Sequence, residues 1–260
     1  MRPVEHAQPS ADGPADTASE ERAGLSRRGA EPLLETIGLR RCFGPTVALD
    51  GIDMALRAGE VVAVMGPSGS GKSTLLHCMA GILAPSSGEV RYRGARLDAL
   101  PEAVRSRLRR DDFGFVFQFG GLVAELSTVE NVALPLLLGG TKRRAAHNKA
   151  VEWMDRLGVA EIAERRPGEV SGGQQQRVAV ARALVTGPRV VFADEPTGAL
   201  DTLAGEAVLA ALVGAAREQG ATVVLVTHEH RVAAYAEREV VVRDGKLAAG
   251  SCPRASEELA

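Results

Sequence analysis

From Leu33 onward the chain alternates short apolar runs with glycine-containing turns, and the runs have the length of strands. Leu33 to Ile37, Val47 to Leu56 and Val61 to Met65 are the first three. The third, Val61-Val-Ala-Val-Met65, is apolar at every position, the pattern of a strand covered on both faces. A helix-like segment from Lys72 to Ile82 follows it directly and completes a strand, loop, helix unit. Val190-Val-Phe-Ala193 and Thr222-Val-Val-Leu-Val226 read as two more buried strands, each preceded by a helical stretch, at 178–186 and 203–219. This order predicts an α/β chain, with a mostly parallel sheet and helices on both faces.

Between about 119 and 169 the spacing becomes helical, with Val129, Val132 and Leu136 on one stripe and Val151, Met154 and Leu157 on another. A helical insertion is expected there. Residues 1–31 are rich in Pro, Ala, Ser, Gly, Asp and Glu and nearly lack large apolar side chains, so they cannot bury enough surface to offset ordering entropy. They are expected to form a disordered tail before a domain at 32–250, with 251–260 as a short second tail. Arg2 is followed by Pro3 and Glu5, which is not the start of a secretory signal.

At 260 residues the chain has the length of one large domain. Its longest apolar stretches, Val132 to Leu138 and Val223 to Val226, fall short of the roughly 18–20 residues that a spanning helix needs, so the chain is not expected to cross a bilayer by itself, and the lack of a secretory signal leads to the expectation of a cytoplasmic location. Thirty-one basic against 33 acidic residues leave a net charge of -2, which excludes a broad attraction to nucleic acid or anionic lipid. Cys42, Cys78 and Cys252 form no CxxC pair, which argues against structural zinc and for a reducing compartment.

Phosphate chemistry must then be local, and one segment supplies it. Gly66-Pro67-Ser68-Gly69-Ser70-Gly71-Lys72-Ser73 matches GxxxxGK[ST] in full, between a buried strand and a helix start, and the nucleotide-binding set extends to Thr74. The glycines let backbone N–H groups face a phosphate, and the helix that follows points its positive end at the same anion. Lys72 supplies a cation for the outer phosphates and Ser73 a hydroxyl for Mg2+. This loop alone fits a GTPase switch, a small-molecule kinase or a motor. At Val190 to Glu195 a buried strand ends in two carboxylates. Asp194 can hold the Mg2+ shell and Glu195 can orient, or take a proton from, an attacking water, a pairing that favours hydrolysis.

Val170-Ser171-Gly172-Gly173-Gln174-Gln175-Gln176-Arg177 resembles the signature sequence of ABC ATPases. Gln118 is similar to that family's glutamine loop, Asp201 in Gly198-Ala-Leu-Asp to its aspartate loop, and His228 in Val226-Thr-His-Glu to its switch histidine. Phe43 resembles the aromatic that stacks on adenine. The resemblance runs from about Leu33 to Leu247 and includes every motif in order. Val170 stands where leucine is usual, Gly198 where many members have serine, and Tyr235-Ala-Glu237-Arg238 where Ala-Asp-Arg is more usual; none of these removes a catalytic group.

The resemblance implies a P-loop NTPase (RecA-like) core with an antiparallel β subdomain and a helical subdomain at about 119–170. It implies Glu195, His228 and Gln118 as catalytic residues, and Ser73, Gln118 and Asp194 around the metal. The signature of one subunit, Ser171 to Gln174, would close on ATP held by another, so a single cassette needs a second copy. The stretches from Phe113 to Gln118, Glu130 to Leu136 and Thr197 to Thr202 look like the subunits that serve macrolide exporters, lipoprotein-releasing complexes and the cell-division ATPase. That likeness implies a partner permease with extracytoplasmic domains, placing the subunit on the inner face of the cell membrane. Leu122, Val123, Leu126 and Val129 are candidates for the groove that receives the permease, or else for core. A non-transport envelope signalling complex is the alternative function. A DNA-repair or chromosome-type ATPase would bring a long coiled coil, zinc cysteines or a basic surface, and the sequence has none of these.

Overall fold

A computed structural model describes residues 31–248, so the expected tails at 1–31, apart from Glu31, and at 251–260 lie outside the described residues. β1 (Leu34–Phe43) and β2 (Thr46–Leu56) form an antiparallel hairpin that continues through β4 (Ser87–Tyr92) and β5 (Ala95–Arg96), in the order β2-β1-β4-β5. The second sheet has six strands in the order β10-β9-β3-β8-β7-β6. In it β3 (Val61–Met65), β6 (Phe113–Val116), β7 (Val190–Asp194), β8 (Thr222–Thr227) and β9 (Arg238–Arg243) run parallel, and only β10 (Lys246–Leu247) is antiparallel.

The unbroken apolar run of β3 is explained by two cores that share it. Val61, Ala63 and Met65 face a layer of helices: α3 (Thr128–Leu138), α4 (Arg143–Arg156), α5 (Gly172–Leu184) and α6 (Thr202–Glu218). Val62 and Val64 face α1 (Lys72–Met79) and the antiparallel sheet, with Leu34, Ile52, Leu75 and Met79 in the same cluster. Alternate side chains of a strand point to opposite faces, so a strand buried on both sides cannot afford a polar position. The expectation of helices on both faces is thereby refined, because one face carries α1 together with a second sheet.

Element ends follow local chemistry. α1 stops at Met79, short of Ile82, because Gly81 takes a left-handed φ of 65° and the N–H groups of Ile82 and Leu83 turn back to the His77 carbonyl at 2.9 and 3.1 Å. α5 starts at Gly172, earlier than the apolar spacing suggests, because Ser171 and Gln174 form a reciprocal capping box. On α3 the stripe Val129, Val132 and Leu136 is buried as expected. On α4 the buried side is Ala146, Ala150, Trp153 and Met154, with Val151 at its edge. The remaining helices are α2 (Glu102–Asp111) and a short α7 (His230–Ala233).

Candidate functional site

The phosphate loop joins the C-terminal end of central β3 to α1, so backbone N–H groups and a helix N-terminus converge at one sheet edge. Its glycines are required by sterics as well as by phosphate. A Cβ on Gly66 (φ 148°) would lie 2.1 Å from the Val242 carbonyl oxygen, and one on Gly71 (φ 105°) would lie 2.5 Å from that of Ala48. Lys72 is buried, and its Nζ donates to the carbonyls of Gly66 and Pro67, both at 2.9 Å, so the ammonium already lies across the loop. Ser70 Oγ is buried without a hydrogen-bond partner among the described residues, which leaves a hydroxyl inside the loop for an anion to use.

Ser73 Oγ donates to Asp194 Oδ1 at 3.0 Å, so the two groups expected around a divalent cation meet across the start of α1 and the end of β7. A hydroxyl and a carboxylate are the hard oxygen donors that Mg2+ takes, and the residues present fit that ion. Burial pushes the Asp194 carboxyl above the usual carboxylate range, with the Glu195 charge adding to the rise, while the Ser73 hydrogen bond and the His77 and Lys72 charges oppose it. Glu195 breaks out of the strand at φ 45°, a left-handed conformation that non-glycine residues seldom adopt. Its N–H is held by the Val226 carbonyl at 2.9 Å, and its Oε1 lies 3.2 Å from His228 Nδ1. The backbone twist sends adjacent carboxylates in different directions, Asp194 to Ser73 and Glu195 to His228.

Gln118 follows β6 and packs against the turn after Glu195, where a methyl on Gly198 would lie 2.8 Å from Gln118 Nε2. Glycine at 198, noted in the sequence as a departure, leaves the end of the Gln118 side chain free to lie against this turn. The loop around Gln118 is held by residues that motif reasoning passed over. Gln176 Nε2 donates to the Phe117 carbonyl at 2.8 Å, and Arg182 donates to the carbonyls of Gly120 and Gly121, both at 2.7 Å. Asn131, fully buried on α3, bonds the N–H and carbonyl of Val123 at 2.7 and 3.0 Å. The sequence signal available for these was a polar residue on the apolar face of a helix. Of the four apolar groove candidates, Val123 is exposed, Leu122 and Leu126 are half-buried, and Val129 belongs to the core at 1% exposure. The loop's most open apolar group is Phe119, 76% exposed.

Other expected residues lie apart from this cluster. Ser171 caps α5 by accepting from Gln174 N–H at 3.3 Å, and Gly172 and Gly173 pack beside Leu200 and Ala204. Among the described residues no hydrogen bond joins this turn to the phosphate loop. Asp201 caps α6 by accepting from Ala204 N–H at 2.9 Å. Phe43, at the end of β1, is 46% exposed with the Arg41 guanidinium 4.7 Å from its ring centre.

A phosphate loop after the central strand β3, with a carboxylate pair at the end of β7 one strand beyond β8, defines a P-loop NTPase. The chain matches the family model for ABC transporters over residues 49–198, and it belongs to that family. It is 45% identical over 223 residues to the macrolide export ATP-binding/permease protein of Aeromonas hydrophila, an alignment covering 84% of this chain and 34% of that protein. It is 43% identical over 222 residues to a lipoprotein-releasing system ATP-binding protein of Caulobacter vibrioides, covering 84% of this chain and 97% of that one. The chain thus spans about a third of the first relative and nearly all of the second. A solved dimeric ATP-binding cassette in a post-hydrolysis state, bound to ADP and Pi, matches with a TM-score of 0.77 at 36% identity, over 82% of this chain and 96% of that one. The chain is an ATP-binding, ATP-hydrolysing cassette of the ABC type.

Proposed function

We propose that two copies of this chain close head to tail around two Mg-ATP and that this closure drives a separate membrane permease with extracytoplasmic domains. The observation that carries the reading is the separation of two anion-ready helix N-termini in one chain. The phosphate loop opens α1, while the exposed Ser171 and Gly172 open α5 beside Leu200 and Ala204. A second protomer offers each loop the partner that its own chain does not bring to it. Resemblance to a cassette solved as a dimer supports the same arrangement.

In this reading Lys72 and the loop N–H groups bind the outer phosphates, and Phe43 lies against the base. Ser73 and Asp194, with Gln118 near them, hold Mg2+, which supplies charge neutralisation at the phosphate oxygens. Glu195 orients the attacking water and accepts its proton at the carboxylate. His228 fixes the carboxylate through the 3.2 Å contact and turns its other ring nitrogen toward the terminal phosphate. No helix among the described residues is long and apolar enough to cross a membrane. In the same reading, which rests on the likeness to ATP-binding subunits of export and release systems, the chain works peripherally on the inner face of the membrane, through its permease, as an export or release motor.

The test is the Glu195→Gln protein with MgATP. It should elute at twice the monomer mass with nucleotide trapped, and revert when ATP is removed. A saturated but monomeric protein at every concentration refutes the composite site. Purification from native membranes should bring down an integral membrane protein that stimulates the ATPase; a chain whose activity is indifferent to any co-purifying membrane protein refutes the motor role.

A further inference from the structure

We infer that Arg182 and Gln176 join the signature helix to the Gln118 loop as one mechanical piece, and that this junction couples the two ATP sites of the dimer. The inference rests on the two-site reading above and adds the residues that link one site to the other.

The loop offers its carbonyls in an unusual row. Gly120 and Gly121 are consecutive left-handed residues, at φ 67° and 57°, and their carbonyls are bonded by the two terminal nitrogens of Arg182 at 2.7 Å each. A guanidinium fork is planar and rigid, so a two-point contact fixes the loop's direction as well as its distance. Gln176 takes the Phe117 carbonyl at 2.8 Å on the other side, so Phe117 and Gly120 bracket Gln118 and both are anchored to α5. Gln118 in turn lies against Gly198, on the turn that carries Glu195.

α5 therefore has two ends with different duties. Its N-terminus, capped by Ser171, faces the partner's nucleotide in the dimer; further along, Gln176 and Arg182 grip the loop that serves this chain's own nucleotide. A hydrogen-bonded helix transmits displacement along its axis, and from Ser171 to Arg182 the reach is about 16 Å at ~1.5 Å per residue. Stability alone does not account for Arg182. Burial draws its guanidinium below the ordinary value, and no carboxylate pairs with it among the described residues, so an apolar side chain of similar volume would cost less to bury. Arg182 is a positioning residue: it touches no nucleotide and acts through Gln118.

The experiment compares wild type, Arg182→Met, Gln176→Leu, Gln118→Ala and the Arg182→Met/Gln118→Ala double variant. Readouts are kcat, KM, the Hill coefficient for ATP, affinity for a fluorescent ATP analogue, and thermal melting. Arg182→Met should melt as wild type and bind the analogue within roughly twofold, yet lose about tenfold in kcat with its Hill coefficient falling toward unity. Gln176→Leu should shift the same parameters in the same direction. The double variant should be no slower than Gln118→Ala, because both changes cut one path. Losses that multiply, or an Arg182→Met enzyme with wild-type kcat and cooperativity, overturn the inference. Should Arg182→Met fail to fold, Arg182→Lys keeps the charge without the fork and must show the same loss of cooperativity, or the inference falls. A wild-type enzyme that neither dimerises nor cooperates refutes the dimer reading, whereas multiplying losses in a cooperative dimer refute the junction alone.

Discussion

His228 Nδ1 stands 3.2 Å from Glu195 Oε1, joining a residue just beyond β8 to the left-handed residue just beyond β7. The histidine holds a carboxylate that the backbone has already swung away from Asp194. Glu195→Gln should lower turnover by roughly 10²- to 10⁴-fold with nucleotide binding retained, the range of a lost general base. His228→Ala should cost less, roughly 10- to 100-fold, as expected when a catalytic group is left loosely placed. Steady-state phosphate release beside nucleotide affinity checks both; equal losses in rate and affinity would contradict the assignment.

The proposed composite sites make a mixing prediction. Lys72→Ala should disable a phosphate loop and Ser171→Arg should block a signature turn, so each homodimer should be inactive. Mixed subunits place one intact loop opposite one intact turn, and activity should return in a fraction of the dimers. Differently tagged chains show whether heterodimers form, and heterodimers without activity would contradict the shared site.

Phe192 is 1% exposed on β7, edge-on to Phe113 at 5.4 Å and 85° and stacked on Phe115 at 5.6 Å and 24°. Phe192→Ala removes a ring that nothing nearby can replace, and should destabilise by about 3–5 kcal/mol. Phe192→Leu should cost visibly less. Urea unfolding of the nucleotide-free protein measures both.

Burial raises the Cys78 thiol from 9.0 to about 11, with the Arg41 charge opposing. The native state holds that proton more tightly than the unfolded chain does. The resulting stability is full below pH 9, where both states are protonated, and is lost as pH rises toward about 11. Wild type should therefore lose urea resistance between pH 8.5 and pH 10.5 faster than Cys78→Ala does, about one proton's linkage. A gap between the two that stays constant with pH would show that the thiol is not shielded.

The parts of the molecule written in contiguous residues were legible beforehand. β3 and the phosphate loop needed only an unbroken apolar run and a glycine spacing, and the two carboxylates after Ala193 were visible as neighbours. α2 was not, since in EAVRSRLRRD the apolar stripe shrinks to Val104 and Leu108, both only half-buried, among charged residues. Gln176 sat in plain sight within a run of three glutamines, but its bond to Phe117 spans 59 positions and only the folded chain brings them together. The reach of Arg182 to Gly120 and Gly121 was hidden for the same reason. Conversely, Val129 looked as suited to a docking groove as to a core, because period and hydropathy do not say which neighbour an apolar face meets.

With alternate side chains of β3 belonging to separate clusters, a nucleotide bound at the proposed phosphate loop would hang from the seam between them. Ligand seated there pins both halves at once, so ATP should merge any staggered melting of the two into a single sharper transition. By the same logic, a methyl lost at Val62 or at Val61 would loosen different layers yet be felt at the same lysine.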